Sequence, residues 1–163
     1  MTNNNVLLST IAKHDMNTII AVWNSGSKGK SATLRELANL IMTNYPNYKS
    51  ISPRVAAPIA SGDFRLVVEI NGVIVGIESK GDPNTNLEER LFELVDKYNC
   101  SLIFCSTRTK GETVWAVQNI ANTKGFQKIW TSTYQIEDEN THEQINKLKA
   151  KHILELTQDL NLL

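Results

Sequence analysis

The segment from residue 18 to residue 45 joins an apolar run, a loop of small residues and a helical pattern. Residues 18–23, "TIIAVW", form a continuous β-favouring run without alternation, which is typical of a strand covered on both faces. After the loop, apolar residues recur at helical spacing from Leu34 to Ile41, and Pro46 marks the end of the pattern. A buried strand that leads through a short loop into a helix predicts an α/β fold.

A hairpin signal follows further along the chain. Two β-rich runs flank Asn71-Gly72, a dipeptide that readily takes the positive φ values of a type I′ turn. The stretch "NTNLEERLFELVDKYN" predicts a helix with a capping box from Asn86 to Glu89. Beyond it, the sequence predicts a buried strand in "SLIFCS", a helix in "GETVWAVQNIANTKG", a strand in "FQKIWTSTYQI" and a terminal helix over about 141–160.

These elements predict one domain over 1–163, with a core at about 18–137. Residues 46–63 carry three of the four prolines and no clear period, so they are expected to form a connection. The expected architecture is a three-layer α/β fold with a mainly parallel sheet of about five strands and one antiparallel edge strand from the hairpin.

Composition narrows the possible partners. The 163 residues are 41% hydrophobic and 21% charged, which is typical of one globular domain. Seventeen basic residues balance seventeen acidic ones, so there is no strong signal for nucleic acid or for an anionic membrane. The start "MTNNNVLLSTIAKHD" lacks a signal-peptide pattern, and no window approaches ~18 apolar residues. The expected location is therefore the cytoplasm.

The loop after the first strand has the residue types that hold phosphate. Glycines let backbone N–H groups approach an anion, a lysine reaches the outer phosphates, and a hydroxyl can ligate Mg²⁺. Lys30 is the candidate for the phosphates and Ser31 for the metal, and the positive end of the following helix faces the same charge. The candidate binding residues of this segment are Asn24, Ser25, Gly26, Ser27, Lys28, Gly29, Lys30, Ser31 and Ala32.

The loop "NSGSKGKS" resembles the Walker A motif of P-loop NTPases, GxxxxGK[ST]. It departs from the motif at Asn24, which stands where the first glycine belongs, although asparagine tolerates left-handed backbone geometry better than most residues. The resemblance implies a bound nucleoside triphosphate and Mg²⁺.

The order of elements is also similar to that of the Ras-like small GTPases, in which a hairpin strand ends in DxxG. Here that strand ends in Glu78-Ser79-Lys80-Gly81. The resemblance implies that Glu78 holds Mg²⁺ together with Ser31, on a strand beside that of the loop, and that Gly81 meets the γ-phosphate. Asp82 and Asp63 are the next acids if Glu78 is not the ligand.

Several parts of the Ras-like pattern are missing. The chain has no NKxD motif, so selection of guanine by that route is excluded and an adenine nucleotide becomes the default. Asp82 is the nearest polar candidate for positioning water, so Lys30 and Asp82 are the candidate catalytic residues and slow or no hydrolysis is expected. Arg108 follows a parallel strand and is a further candidate for phosphate binding, although a solvated loop is an equal reading.

Two other functions stay open. One is a small nucleoside or nucleotide kinase, in which arginines such as Arg54, Arg90 or Arg108 close on the phosphates. The other is a non-catalytic module that binds a nucleotide or an unidentified protein partner. The tryptophans at 23, 115 and 130 are expected to pack in the core rather than to stack on a base.

Overall fold

A computed structural model describes residues 16–163. The expectation about a signal peptide concerns residues 1–15 and lies outside this described part. Within it, the strands are β1 Thr18–Trp23, β2 Lys49–Ser52, β3 Arg65–Ile70, β4 Val73–Glu78, β5 Leu102–Thr107 and β6 Gln127–Ser132. The helices are α1 Lys30–Asn44, α2 Leu87–Asp96, α3 Glu112–Lys124 and α4 His142–Asp159, with a 3₁₀ turn at Glu139–Thr141 before α4.

The six strands form one mixed sheet in the order β2-β3-β4-β5-β1-β6. Strands β4, β5, β1 and β6 run parallel to one another, whereas β3 is antiparallel to both of its neighbours. The hairpin of β3 and β4 turns at Asn71 and Gly72, whose φ values of 49° and 84° are positive as the sequence predicts. The mainly parallel α/β architecture is therefore confirmed.

Two expectations about the sheet are wrong. The antiparallel strand β3 is not an edge strand, because β2 pairs with its outer side. Residues 46–63 thus contain a strand and not only a connection. The expected position of β4 beside β1 is also wrong, because β5 lies between them.

The sheet separates two apolar clusters, so the domain has three layers. One cluster lies under α1 and α4 and includes Ile20, Leu37 and Ile153. The other lies under α2 and α3 and includes Ile19 and Leu91. Because side chains alternate along a strand, β1 contributes Ile19 to one layer and Ile20 to the other, which explains why its sequence is apolar without a gap.

Turn chemistry sets two of the helix boundaries. Gly125 ends α3 in the left-handed conformation with φ 74°, and its N–H donates to Ala121 O. At the start of α2, however, the predicted capping box is wrong, since Asn86 adopts φ 56° and its side chain makes no capping hydrogen bond. Left-handed backbone, rather than a side-chain cap, makes the turn into α2.

Candidate functional site

The loop between β1 and α1 borders a pocket of about 370 Å³ at the carboxyl end of the sheet. Parallel α/β sheets bind ligands at this edge because the loops that follow successive strands converge there. The pocket is lined by Ser27, Lys28, Gly29, Lys30, Ser31, Ala32, Ser79, Gly81, Asp82 and Ser106. The segments after β1, β4 and β5 therefore meet in one concave site.

The loop curves through positive φ values at Ser27, 55°, and at Gly29, 78°. A Cβ atom at Gly29 would lie 2.6 Å from the side-chain oxygen of Asn146 on α4. A Cβ atom at Gly26 would lie 2.7 Å from Nη1 of Arg108. The two glycines thus permit close packing of the loop against α4 on one side and against Arg108 on the other.

Asn24, at the position of the first Walker A glycine, supports the start of the loop with its side chain. Its Oδ1 accepts a hydrogen bond from the N–H of Ser25 at 2.7 Å, and its Nδ2 donates to Thr133 Oγ1 at 2.9 Å. These bonds tie the loop to the segment that follows β6. Asn24 therefore stabilises the loop through side-chain hydrogen bonds. The left-handed backbone conformation occurs instead at Ser27 and Gly29.

Lys30 begins α1 and its side chain is buried, with 6% of the residue exposed. Its Nζ donates to the carbonyl oxygen of Ser25 at 2.6 Å, across the loop. Burial lowers the pKa of the ammonium group from its usual 10.5, the positive charge of Arg108 lowers it further, and Asp82 opposes the change. The first turn of α1 contains no acidic residue of its own, so the helix N-terminus adds positive potential at the pocket.

Ser31 contacts Asp63 rather than Glu78. Its Oγ lies 3.0 Å from Asp63 Oδ1 and 3.3 Å from the carbonyl oxygen of Ser79. Asp63 comes two residues before β3, and Ser79 directly follows β4, so the hairpin carries both of them to the loop. A hydroxyl, a carboxylate and a carbonyl oxygen thus converge, and these are the ligand types that Mg²⁺ takes.

Glu78 is instead the centre of a buried ion-pair network. Its Oε2 lies 2.7 Å from Arg65 Nε, its Oε1 lies 2.6 Å from Arg90 Nη1, and its side chain is 4% exposed. Arg65 also pairs with Glu93 on α2 at 2.7 Å. Both carboxylate oxygens of Glu78 are therefore occupied by arginines, which leaves this side chain in a supporting position below the pocket.

The same network holds the segment that follows β4. Arg90 Nη2 donates to Lys80 O at 2.6 Å, and Arg90 Nε donates to Thr85 O at 2.9 Å. The chain at Gly81 passes so close to β5 that a Cβ atom there would overlap the carbonyl oxygen of Ser106. Glycine at this position is therefore required by packing, whatever its relation to a phosphate.

Asp82 and Arg108 form an ion pair at the mouth of the pocket. Arg108 Nη2 lies 2.9 Å from Asp82 Oδ1, and Arg108 Nε donates to the same oxygen at 3.0 Å. The pair connects the loops after β4 and β5. It places a guanidinium group beside the loop between β1 and α1, and it occupies one oxygen of Asp82, the acid that the sequence suggests for positioning water.

The structure thus brings together most of the predicted site residues. The loop residues from Ser27 to Ala32 line the pocket with Gly81 and Asp82, whereas Asn24, Ser25 and Gly26 begin the loop outside this lining. Arg108 lies against the loop at Gly26 and pairs with Asp82. Glu78 instead faces Arg65 and Arg90. Sequence reasoning missed Ser79 and Ser106, which each lie at the carboxyl end of a strand. Their position at the ends of predicted strands could have identified both of them as candidates for the site.

The expectation that the tryptophans pack in the core is wrong. Trp115 is 65% exposed, Trp23 is 37% exposed and Trp130 is 36% exposed. Trp23 is the last residue of β1, Trp130 lies within β6 at the edge of the described sheet, and both border a pocket beside α3. Their rings are therefore surface features of the molecule.

Two searches of residues 16–163 gave negative results. They contain no group of three or more His, Cys, Asp or Glu side chains placed to hold a metal ion. In the same residues, every helix is too short or too polar to cross a bilayer. The oxygen atoms of Ser31 and Asp63 are a smaller set, which would need phosphate and water oxygens to complete the coordination sphere of a metal ion.

Comparison with known proteins gave no match. No protein-family model matches the chain. No curated protein and no solved structure matches it either. Function must therefore be argued from the site itself.

Proposed function

We propose that this chain is a P-loop protein that binds a nucleoside triphosphate, with ATP as the default ligand. The observation that carries the proposal is the buried cation of Lys30 at the N-terminus of α1, inside a loop that borders a pocket of about 370 Å³. Backbone N–H groups, a helix N-terminus and a lysine directed at one concave space form the arrangement that favours polyphosphate.

In this proposal Lys30 exchanges the carbonyl oxygen of Ser25 for a phosphate oxygen. The present 2.6 Å hydrogen bond keeps the ammonium group above the loop, so little reorganisation is needed when an anion enters. Since burial disfavours the charged lysine, a phosphate anion beside it favours the protonated form and gains from the low local dielectric constant.

Ser31 and Asp63 have the oxygen atoms and the position to hold Mg²⁺ in this site. Mg²⁺ keeps several waters and uses one or two protein oxygens when phosphates supply the rest. We assign the acidic role to Asp63, because its carboxylate already accepts the hydrogen bond of Ser31, whereas Glu78 is held by Arg65 and Arg90. The ion would neutralise phosphate charge in the complex.

The site supports slow or no hydrolysis. Asp82, which the sequence suggests for positioning water, lines the pocket, but one of its oxygens is paired with Arg108. An oxygen that already accepts hydrogen bonds from a guanidinium is less available to orient an attacking water. Arg108 itself is the second cation available to an outer phosphate.

A nucleoside or nucleotide kinase is the second candidate. The observation that favours it is Arg108, which contacts the phosphate loop at Gly26 and also lines a second pocket beside the loop. Arg90, which the sequence offered as another closing arginine, is instead committed to Glu78 and to the segment after β4. Of these two arginines, only Arg108 lies where it could contact both a second substrate and the phosphates.

A phosphate-release assay separates these functions. The full chain is incubated with ATP and Mg²⁺, with and without a panel of nucleosides and nucleoside monophosphates, and both free phosphate and phosphorylated acceptor are measured. Calorimetric titration with ATP on the same sample establishes binding. We expect binding with slow or undetectable release, while transfer to an acceptor would select the kinase and an absence of ATP binding would reject the proposal.

A further inference from the structure

A second pocket, of about 310 Å³, lies between α3 and β6. Its volume falls at the lower end of the range of about 300–1,000 Å³ that is typical of small-molecule sites. Its lining residues are Trp23, Arg108, Thr109, Val114, Gln118 and Trp130. The pocket combines two apolar indole rings with a polar amide and a charged guanidinium group. Its polar groups can fix the orientation of a ligand.

The register of β1 and β6 places the two indoles on the same face of the sheet. Ala21 is the partner of Trp130 in this parallel pair, and Trp23 is the partner of Ser132. Because side chains alternate, Ala21, Trp23 and Trp130 all project toward the layer of α2 and α3, where Ala21 is packed.

These rings are available to a ligand. More than a third of Trp23 and of Trp130 is exposed, and β6 is an edge strand among residues 16–163. Indole faces stack favourably on planar heterocycles, because both surfaces are large, apolar and polarisable. The amide of Gln118 supplies both a hydrogen-bond donor and an acceptor, which can read the polar edge of such a ring.

Arg108 links this pocket to the phosphate pocket. It lines the aromatic pocket, lies against Gly26 of the phosphate loop and pairs with Asp82, which lines the phosphate pocket. A ligand that combines a flat ring with phosphate matches a cation placed between two indoles and a phosphate loop. An apolar peptide would bring no group to contact this guanidinium.

We propose that the aromatic pocket binds a nucleobase. This inference deepens the proposed function by naming a base site, and it rests on that function for the phosphate part of the ligand. The base belongs either to the triphosphate held by the loop or to a second nucleoside or nucleotide. The chemistry of recognition is the same in both cases, namely stacking on Trp23 and Trp130 with hydrogen bonds from Gln118.

The test uses nucleosides without phosphate, so that the loop contributes nothing to binding. Adenosine, guanosine, cytidine and uridine are titrated against the full chain, and binding is followed by calorimetry and by tryptophan fluorescence. We expect at least one of them to bind. Trp130→Leu should weaken that nucleoside about fivefold or more, since it removes a stacking ring. Trp115→Leu is the matched control, because Trp115 is 65% exposed and does not line the pocket.

Two further arms complete the experiment. Gln118→Leu is a second pocket variant on the exposed side of α3, and it should also weaken the nucleoside. Saturation with ATP distinguishes the two sources: nucleoside displaced by ATP but not by tripolyphosphate identifies the base of the bound nucleotide, and nucleoside that still binds identifies a second ligand.

The inference is overturned if no nucleoside binds to the wild type, or if both pocket variants bind it as the wild type does. It is also overturned if Trp130→Leu changes only self-association in sedimentation. Tripolyphosphate binding, measured in the same proteins, depends on Lys30 and not on Trp130, so a failure of the base site is distinguishable from a failure of the phosphate loop.

Discussion

The hydroxyl of Ser31 lies 3.0 Å from a carboxylate oxygen of Asp63, although 32 positions separate the two residues in the chain. Ser31 is the second residue of α1, and Asp63 lies two residues before the hairpin of β3 and β4. The contact therefore closes the phosphate loop against the hairpin, and it gives the proposed metal site its only acid in direct contact with the serine among the described residues.

Replacing Asp63 with Asn should abolish the effect of Mg²⁺ on triphosphate binding. The ratio of ATP affinities with and without Mg²⁺ should fall to about one, because an amide is a much weaker ligand for this hard cation than a carboxylate. Metal-free binding of the diphosphate should change little. Titration calorimetry on both proteins measures these ratios.

Two variants control this prediction. Asp159→Asn removes an exposed acid near the end of α4 and should keep the full Mg²⁺ effect. Glu78→Gln should also retain it, provided that the protein is folded. A normal Mg²⁺ effect in Asp63→Asn would show that Asp63 is not the metal ligand.

Glu78→Gln should lower the free energy of unfolding by roughly 3 kcal/mol, because it removes the counter-charge of Arg90 and leaves Arg65 paired with Glu93 alone. The side chain of Glu78 is 4% exposed, and those of Arg65 and Arg90 are 19% and 20% exposed. Urea denaturation measures the loss, with the exposed Glu89→Gln on the same helix as Arg90 as the control. A loss no larger than the ~0.5 kcal/mol of ordinary surface changes would contradict a structural role for Glu78.

Gly81→Ala should destabilise the protein and weaken anion binding in the pocket. The new methyl group would overlap the carbonyl oxygen of Ser106, which belongs to the backbone of β5 and has little freedom to retreat. Overpacking of this kind costs about 1–3 kcal/mol, and contact with backbone places the expected loss at the upper end. Thermal unfolding and tripolyphosphate titration should both show the effect.

Gly62→Ala is the comparison for Gly81→Ala, since no atom lies within 4 Å of a Cβ placed there and only its positive φ opposes the change. If both alanine variants unfold at the same temperature and bind tripolyphosphate equally, the close approach at Gly81 does not constrain the pocket.

The sequence predicted the elements around the loop because their patterns are local. The apolar run at 18–23 and the helical spacing after it correspond to β1 and α1, and Asn71-Gly72 corresponds to the hairpin turn. Strand β2, Lys49–Ser52, was missed because it has four residues, of which Ile51 is the only apolar one, and because prolines surround it. The position of β5 between β1 and β4 depends on how the strands assemble in the tertiary structure, so no local sequence pattern predicts it.

The ion pair between Glu78 and Arg65 could have been predicted from the register of the hairpin. Counting outward from Asn71-Gly72 pairs Arg65 with Glu78, which is the register that the structure shows. An acid opposite an arginine on one face predicts an ion pair rather than a free ligand. The same count brings Asp63 next to the end of β4, so the signal for the contact with Ser31 was also present. The role of Arg90, from another element, had no such signal.

Phosphate binding should weaken at alkaline pH through Lys30. Burial and, to a lesser degree, Arg108 lower the pKa of this ammonium group in the free protein, whereas a bound phosphate raises it. Affinity is therefore full below the free-protein pKa and falls as the pH rises through it, at a pH below the usual 10.5. Tripolyphosphate titrations from about pH 7 to about pH 10 follow this change.

Lys30→Arg supplies the comparison for the pH profile, because guanidinium stays charged over the whole range. Its affinity should be flat where that of the wild type declines. Titrations of the wild type in two buffers of different ionisation enthalpy should also reveal proton uptake on binding in the alkaline range. Parallel profiles for lysine and arginine, without proton uptake, would contradict the role of Lys30 as the titrating group.

The affinity of Lys30→Ala for ATP tests the central claim most directly. Calorimetric titration should show a loss of about 1.5–3 kcal/mol relative to the wild type, the range for a hydrogen bond between a charged donor and its partner. Lys128→Ala, which removes an exposed lysine from β6, should bind like the wild type. Equal ATP affinity in wild type and Lys30→Ala, with both proteins folded, would contradict the assignment of this loop as a phosphate site.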